Sequence, residues 1–349
     1  MKKQVCSVSQ TPNLQYKRAF QVNLTLAVLV WIGWYALGGQ TALQSLIDNW
    51  QITLTMIFGS MVAGATSEGG GAVAFPVFTK VLHIPPHDAR VFCLAIQSVG
   101  MTAASIGIFF LRVPVEWRAV LWAGLAGVFG ILFSTFYVMP FVSPPLVKIS
   151  FTVMVSSLAI ALVFMNRREK SHRHKAFPRV GRNEIAILML TGFIGGMMSG
   201  LVGSGIDIIT FMTMVLLFRL DEKVATPTTV LLMTSNTLVG FLTHLLVLDT
   251  FTPTVQGYWL AAVPVVVIGA PLGACICASL SRRVIANVLI GLIAIEFVST
   301  LVIIPMSPKV MLTAGLSLAI CGLINWAMCR ADWYCPKKQS LSEPQLQAA

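Results

Sequence analysis

Residues 52–81 read ITLTMIFGSMVAGATSEGGGAVAFPVFTKV, and they decide the fold. Apolar residues flank a small polar centre, Ser67-Glu68-Gly69-Gly70-Gly71, and Pro76 follows. Hydrocarbon offers no water to opened backbone, so such a break is tolerated only where protein or a wet cavity surrounds it. The pattern returns after a shift of 136 residues. Met61, Gly64, Glu68, Gly69 and Gly71 meet Met197, Gly200, Ser204, Gly205 and Asp207. Two polar breaks at corresponding places in two hydrophobic halves point to a transport site.

Composition narrows the class. Hydrophobic residues make up 56% of the 349 and charged residues only 11%, against roughly 25% charged in soluble proteins. Mean hydropathy is +0.81. A polytopic membrane protein follows, and a soluble enzyme is excluded. The net charge of +11 comes from 24 Lys and Arg against 13 Asp and Glu. The basic residues fall mostly in short segments between apolar runs, which places the excess at a membrane surface. Nucleic-acid binding needs a basic face on a folded domain. None of the seven cysteines forms a CxxC pair; they read as small buried hydrophobes, and no metal site is expected. Neither an HExxH nor a GxxxxGK[ST] motif occurs, so catalysis and nucleotide-driven pumping have no motif to rest on.

The chain reads in order as a cytosolic tail over 1–21 and a first span over 22–38, with Asp48 in the loop beyond. Trp31, Trp34 and Tyr35 suit an interfacial anchor. Repeat 1 covers 51–165, with a broken helical hairpin at 52–81 and three spans. A basic cytosolic linker, 166–182, leads to repeat 2 over 183–304, with its hairpin at 185–218. Pro227 is expected in the first turn of the helix after it. A last span over 310–328 and a cytosolic tail over 329–349 follow. At 1.5 Å per residue, two fourteen-residue arms in 52–81 reach about 21 Å each, short of a roughly 30 Å core. Each break is either re-entrant or a pair of short spans.

Charge orients this arrangement. With the N-terminus and 166–182 in the cytosol, twenty Lys and Arg lie inside. Four, Lys80, Arg90, Lys148 and Lys309, lie outside. Hairpin one then enters from outside and hairpin two from the cytosol. The expected fold is all-α, with two inverted-topology repeats, each a broken hairpin plus three spans, and one extra span at each end. The expected location is the cytoplasmic (inner) membrane, both termini cytosolic. The lipid bilayer is the expected partner, and the oligomeric state is open.

The glycine-rich break of Gly64 to Pro76 and the FIGGMMSGLVGSG run of Phe193 to Gly205 resemble the sulfite exporter TauE/SafE family, the toluene-sulfonate uptake permease group. The resemblance covers about residues 50–330. It implies a membrane carrier of small sulfur-containing anions such as sulfite and organosulfonates. The glycines matching the family pattern are Gly64, Gly69, Gly70, Gly71, Gly200, Gly203 and Gly205. Family breaks are often glycine throughout, whereas here Glu68, Ile206 and Asp207 interrupt them.

Transport needs binding and no bond making. Unpaired N–H groups at half-helix N-termini suit an anion, and Gly69, Gly70, Gly71, Gly203 and Gly205 sit at those starts. Close helix packing is the other reading of these glycines. On the helices after each break, Gln97 and Ser98 correspond in position with Met233 and Thr234, and Asn236 lies close by. Gln97, Ser98, Thr234 and Asn236 are candidate substrate contacts, because amides and hydroxyls donate without fixed charge. Interhelical hydrogen bonding competes with that role.

Glu68, Asp207 and His244 are candidate coupling groups, since ionisable side chains at membrane depth are a functional hypothesis by default. Capping of their own breaks is the alternative for both acids. No organic cofactor is expected; the coupling ion is a proton or a monovalent cation. Glu296 lies inside an apolar run without a counterpart in the other half. Arg112 and Arg118 sit at the cytosolic mouth, and no Lys or Arg is expected deep in a span. A proton-coupled alternating-access carrier leads. A carrier of another solute or a cation-coupled carrier stands second, and an anion channel third.

Overall fold

The computed structural model describes residues 12–66, 74–167, 174, 176–177, 181–303 and 308–330. Among them are eleven α-helices and no strand. They are α1 (Pro12–Asp48), α2 (Trp50–Ala65), α3 (Pro86–Phe110), α4 (Trp117–Phe133), α5 (Pro144–Arg167) and α6 (Arg182–Val202). Then come α7 (Ile206–Met212), α8 (Glu222–Leu246), α9 (Pro253–Ser279), α10 (Arg282–Ile303) and α11 (Pro308–Arg330). Six helical stretches among the described residues are long and apolar enough to cross a membrane: Phe20–Asp48, Pro86–Phe110, Trp117–Phe141, Arg182–Val202, Glu222–Leu246 and Pro253–Cys277. The chain is a multi-pass membrane protein.

Burial sorts these helices. In α3, 78% of the spanning window is buried; in α1, 11% is. The apolar side chains of α1 face outward, with Ile32 and Leu37 exposed, as do Phe129 of α4 and Leu312 of α11. A soluble monomer rarely exposes large contiguous apolar patches, so this surface is suited to lipid. The centre is built on α3 and α8, each 25 residues long. They touch where Ser105 Oγ lies 2.7 Å from Thr234 Oγ1. Around them α9 packs on α2 and α3, and α4 packs on α6 and α8, while α5, α10 and α11 form a bundle to one side.

Small residues set the close contacts. A Cβ on Gly130 would lie 2.1 Å from the Phe193 carbonyl oxygen, and one on Gly196 would lie 2.1 Å from that of Gly127. The α4 and α6 backbones therefore touch. On the other side Gly64 meets the Ala270 carbonyl and Gly273 that of Met61. Each broken segment thus packs its first arm on a helix of the opposite half, α2 on α9 and α6 on α4.

The two halves share backbone detail at the 136-residue shift. A π-helical turn follows each break, Val77–Val81 and Thr213–Leu217. Each ends alike: Leu82 N–H donates to the Val77 carbonyl and Phe218 N–H to that of Thr213, at 3.0 and 3.1 Å. His83 and Arg219 then both take φ 54°. The helices that follow, Pro86–Phe110 and Glu222–Leu246, begin and end at the same shift.

Several expectations change. The first helix is interrupted where the first span was expected to end: Gly39 takes the non-helical φ 49°, and a second helical stretch runs on from the kink to Asp48. Trp31 and Trp34 do not act only as interfacial anchors. Their indole N–H groups donate to Pro264 and Leu260 carbonyls of α9, at 3.0 and 2.8 Å. Pro264 has no N–H, so the Leu260 carbonyl lacks its ordinary helical partner, and Trp34 supplies one. Pro227 lies inside α8, which starts at Glu222, and not in its first turn. The arms of the breaks are unequal. The first arm of the second break, α6, has 21 residues, about 31 Å at 1.5 Å per residue, enough to cross alone. The arm after it, α7 and its π turn, is far shorter.

Candidate functional site

Glu68, Gly69, Gly70 and Gly71 lie outside the described residues, so the site is built from the second break. There α6 ends in the left-handed turn of Gly203 (φ 90°), whose N–H donates to the Ser199 carbonyl at 2.8 Å. A side chain at Gly203 would be strained, and its Cβ would lie 2.8 Å from Cys93 Cβ. Ser199 also accepts from Ile206 N–H through Oγ at 3.0 Å. Asp207 Oδ1 accepts from the N–H groups of Gly205 and Ile208, both at 3.0 Å, and Ser204 Oγ stands 3.5 Å from Oδ2. Asp207 is buried and closes its own turn. The Gly203, Gly205, Ile206 and Ile208 donors at this break are therefore engaged within the chain, which is the capping alternative for Asp207.

Two buried amides flank this turn. Gln97 Nε2 donates to the carbonyls of Cys93 and Gly203, at 3.0 and 2.9 Å. Its Oε1 has no hydrogen-bond partner among the described residues. Asn236 is fully buried, and neither Nδ2 nor Oδ1 has a partner among the described residues. Asn236 Nδ2 and Ile206 Cδ1 both crowd the position of a Cβ on Gly127, at 2.5 and 2.3 Å. Leaving a buried polar group unmatched costs about 1–3 kcal/mol. Native interiors keep few such groups, so the two amides stand out among the buried polar side chains near this break.

The remaining candidates separate from it. Ser98 Oγ donates to the Ala95 carbonyl within α3. Thr234 Oγ1 bonds the Val230 carbonyl and Ser105, tying α8 to α3. Both act as helix and interhelical contacts. His244 lies eight residues past Asn236, about 12 Å along the helix axis. Its Nδ1 is 2.8 Å from Thr250 Oγ1, and its ring meets that of His87 edge-on at 6.5 Å. It belongs to the end of α8 and not to the break.

The structure also holds a cation where none was expected. Lys80, in the π turn after the first break, is buried and 3.2 Å from Glu296 Oε1. It also donates to Ser299 and Thr300 hydroxyls at 2.9 and 2.8 Å. Thr152 and Thr300 donate to the same Glu296 oxygen, at 3.2 and 3.1 Å. This network fastens the return arm of the first break to α5 and α10. The depth of Glu296 was a signal for it; Lys80, 216 residues away, carried none. Ser199, which shapes the second break, lay within the Phe193–Gly205 run.

A family model described as sulfite exporter TauE/SafE matches residues 52–300. No curated protein and no solved structure matches the chain.

Proposed function

The chain belongs to the sulfite exporter TauE/SafE family, and from that premise we propose that it is a secondary-active carrier of small sulfur-containing anions, sulfite or organosulfonates. The observation that carries this reading is the pair of amides at the second break. Asn236 presents an unspent donor and acceptor, and Gln97 an unspent acceptor. Uncharged amides bind an oxyanion without trapping it, and their acceptors suit an anion that carries a proton. Asp207 keeps the break in shape.

The carrier works by alternating access between two inverted repeats. The matched π turns, the matched φ values of His83 and Arg219, and the packing of α2 on α9 and of α6 on α4 support that symmetry. Proton coupling falls to Glu68, which stands where the family pattern has glycine. The protein sits in the cytoplasmic membrane with both termini cytosolic, as the basic loops direct.

The test is uptake into proteoliposomes of sulfite, thiosulfate and organosulfonates, with and without a pH gradient. Saturable, exchange-stimulated flux of at least one of them is expected. Movement of none of them under either condition overturns the proposal, and flux that neither saturates nor exchanges makes the protein a channel.

A further inference from the structure

A cavity of about 240 Å³ opens between the end of α3 and the start of α8. Gly64, Arg112, Lys223, Thr226, Pro227 and Cys277 are among its lining residues. Gly64 lies in the last turn of α2, so the cavity reaches from Arg112 and Lys223 to the end of that helix.

Three features of the lining point to an anion. Arg112 and Lys223 come from opposite halves of the chain, and neither makes an ion pair among the described residues. The neighbouring carboxyl of Asp221 is committed to capping α8, accepting from Lys223 N–H at 2.9 Å. The hydroxyl of Thr226, 1% exposed, has no hydrogen-bond partner among the described residues. Water occupies about 30 Å³ per molecule in the liquid, so the space takes a small oxyanion with part of its hydration shell.

We propose that this vestibule is a second anion subsite, in which Arg112 and Lys223 attract a sulfur oxyanion and Thr226 donates a hydrogen bond to it near the end of α2. The inference rests on the anion-carrier reading. The cations are exposed and supply a screened, long-range attraction, strongest within a Debye length of about 8 Å at physiological salt. Thr226 Oγ1 is closed off from solvent in this structure and supplies the short-range contact when its hydroxyl turns into the cavity. An anion can then wait at the mouth without the cost of a fixed charge at membrane depth.

Equilibrium binding of inorganic sulfite to the full chain in nanodiscs tests this, with proteoliposome flux run alongside. T226V should weaken sulfite binding about tenfold, the scale of one lost hydrogen bond to a charged group, at low and high salt alike. R112Q/K223Q should weaken it at low salt and converge on wild type at high salt. T226S and R112K/K223R should restore binding, and thermal midpoints close to wild type would show that the fold is intact. If T226V and R112Q/K223Q both bind within twofold of wild type while wild type carries sulfite, the vestibule is refuted and the carrier reading stands. If wild type neither binds nor moves any sulfur oxyanion, both fall.

Discussion

The side-chain amide of Gln97 donates to the carbonyl of Gly203 at 2.9 Å, across 106 positions of chain. This one bond ties the helix that follows the first break to the backbone of the second. It spends the amide's donor and leaves Oε1 unmatched. In Gln97→Leu the Gly203 carbonyl loses that bond, a loss of about 1–3 kcal/mol. Sulfite uptake should fall by more than tenfold, with a thermal midpoint a few degrees lower. Uptake within twofold of wild type would remove Gln97 from the transport path.

Asn236 predicts the opposite sign on stability. Its amide is fully buried with both polar atoms unmatched among the described residues, so Asn236→Leu removes that penalty with the same number of side-chain heavy atoms. The variant should unfold at the same temperature as wild type or a higher one, yet lose transport. A midpoint clearly below wild type with transport retained would show that the amide serves the fold.

What could be read from the chain was what leaves a period or a composition. The membrane class and the shift of 136 are both of that kind. The Lys80–Glu296 pair is not, because side chains 216 residues apart leave no spacing to detect. The indole bond of Trp34 needed two facts at once: Pro264 removes a donor from α9, and α1 lies beside it. At the site, Gln97 and Asn236 were visible as polar residues in apolar runs. That Ser98 and Thr234 turn back on helix and neighbour was not visible, because rotamers decide it.

The Lys80 ammonium and Glu296 are both largely withdrawn from solvent, with side chains 3% and 15% exposed. Removing either partner leaves a buried charge uncompensated, which costs about 3–5 kcal/mol. Lys80→Met and Glu296→Gln should each lower the thermal midpoint. Lys80→Met/Glu296→Gln together should recover much of the loss, because no orphan charge remains. A double variant whose loss equals the sum of the single losses would mean the two residues do not act as a pair.

Gly203 combines a left-handed φ of 90° with a contact that a side chain would violate. Gly203→Ala loses about 1–2 kcal/mol to the backbone and more to crowding against Cys93. Gly291 lies in α10, and a Cβ added there would meet nothing within 4 Å. Gly291→Ala should leave the midpoint unchanged or raise it slightly, since Ala is favoured over Gly in a helix by about 1 kcal/mol. Equal midpoints for the two variants would show that the second break tolerates a side chain.

The two acids of the breaks separate by what each carboxyl already holds. Asp207 Oδ1 accepts from Gly205 and Ile208 N–H groups, and an asparagine amide oxygen can do the same. Asp207→Asn should therefore keep both the fold and the response to a pH gradient, while Asp207→Ala loses the cap and about 1 kcal/mol of stability. Glu68 carries the proposed coupling. If a proton travels with the anion, acid outside the vesicle accelerates wild-type uptake. Glu68→Gln cannot release or take up that proton, so its uptake should lose the response to the gradient while anion exchange continues. A Glu68→Gln carrier that still responds like wild type would move the coupling elsewhere. A loss of response in Asp207→Asn instead would make the capping carboxylate the proton carrier, and the backbone turn it holds would be the element that moves when it is protonated.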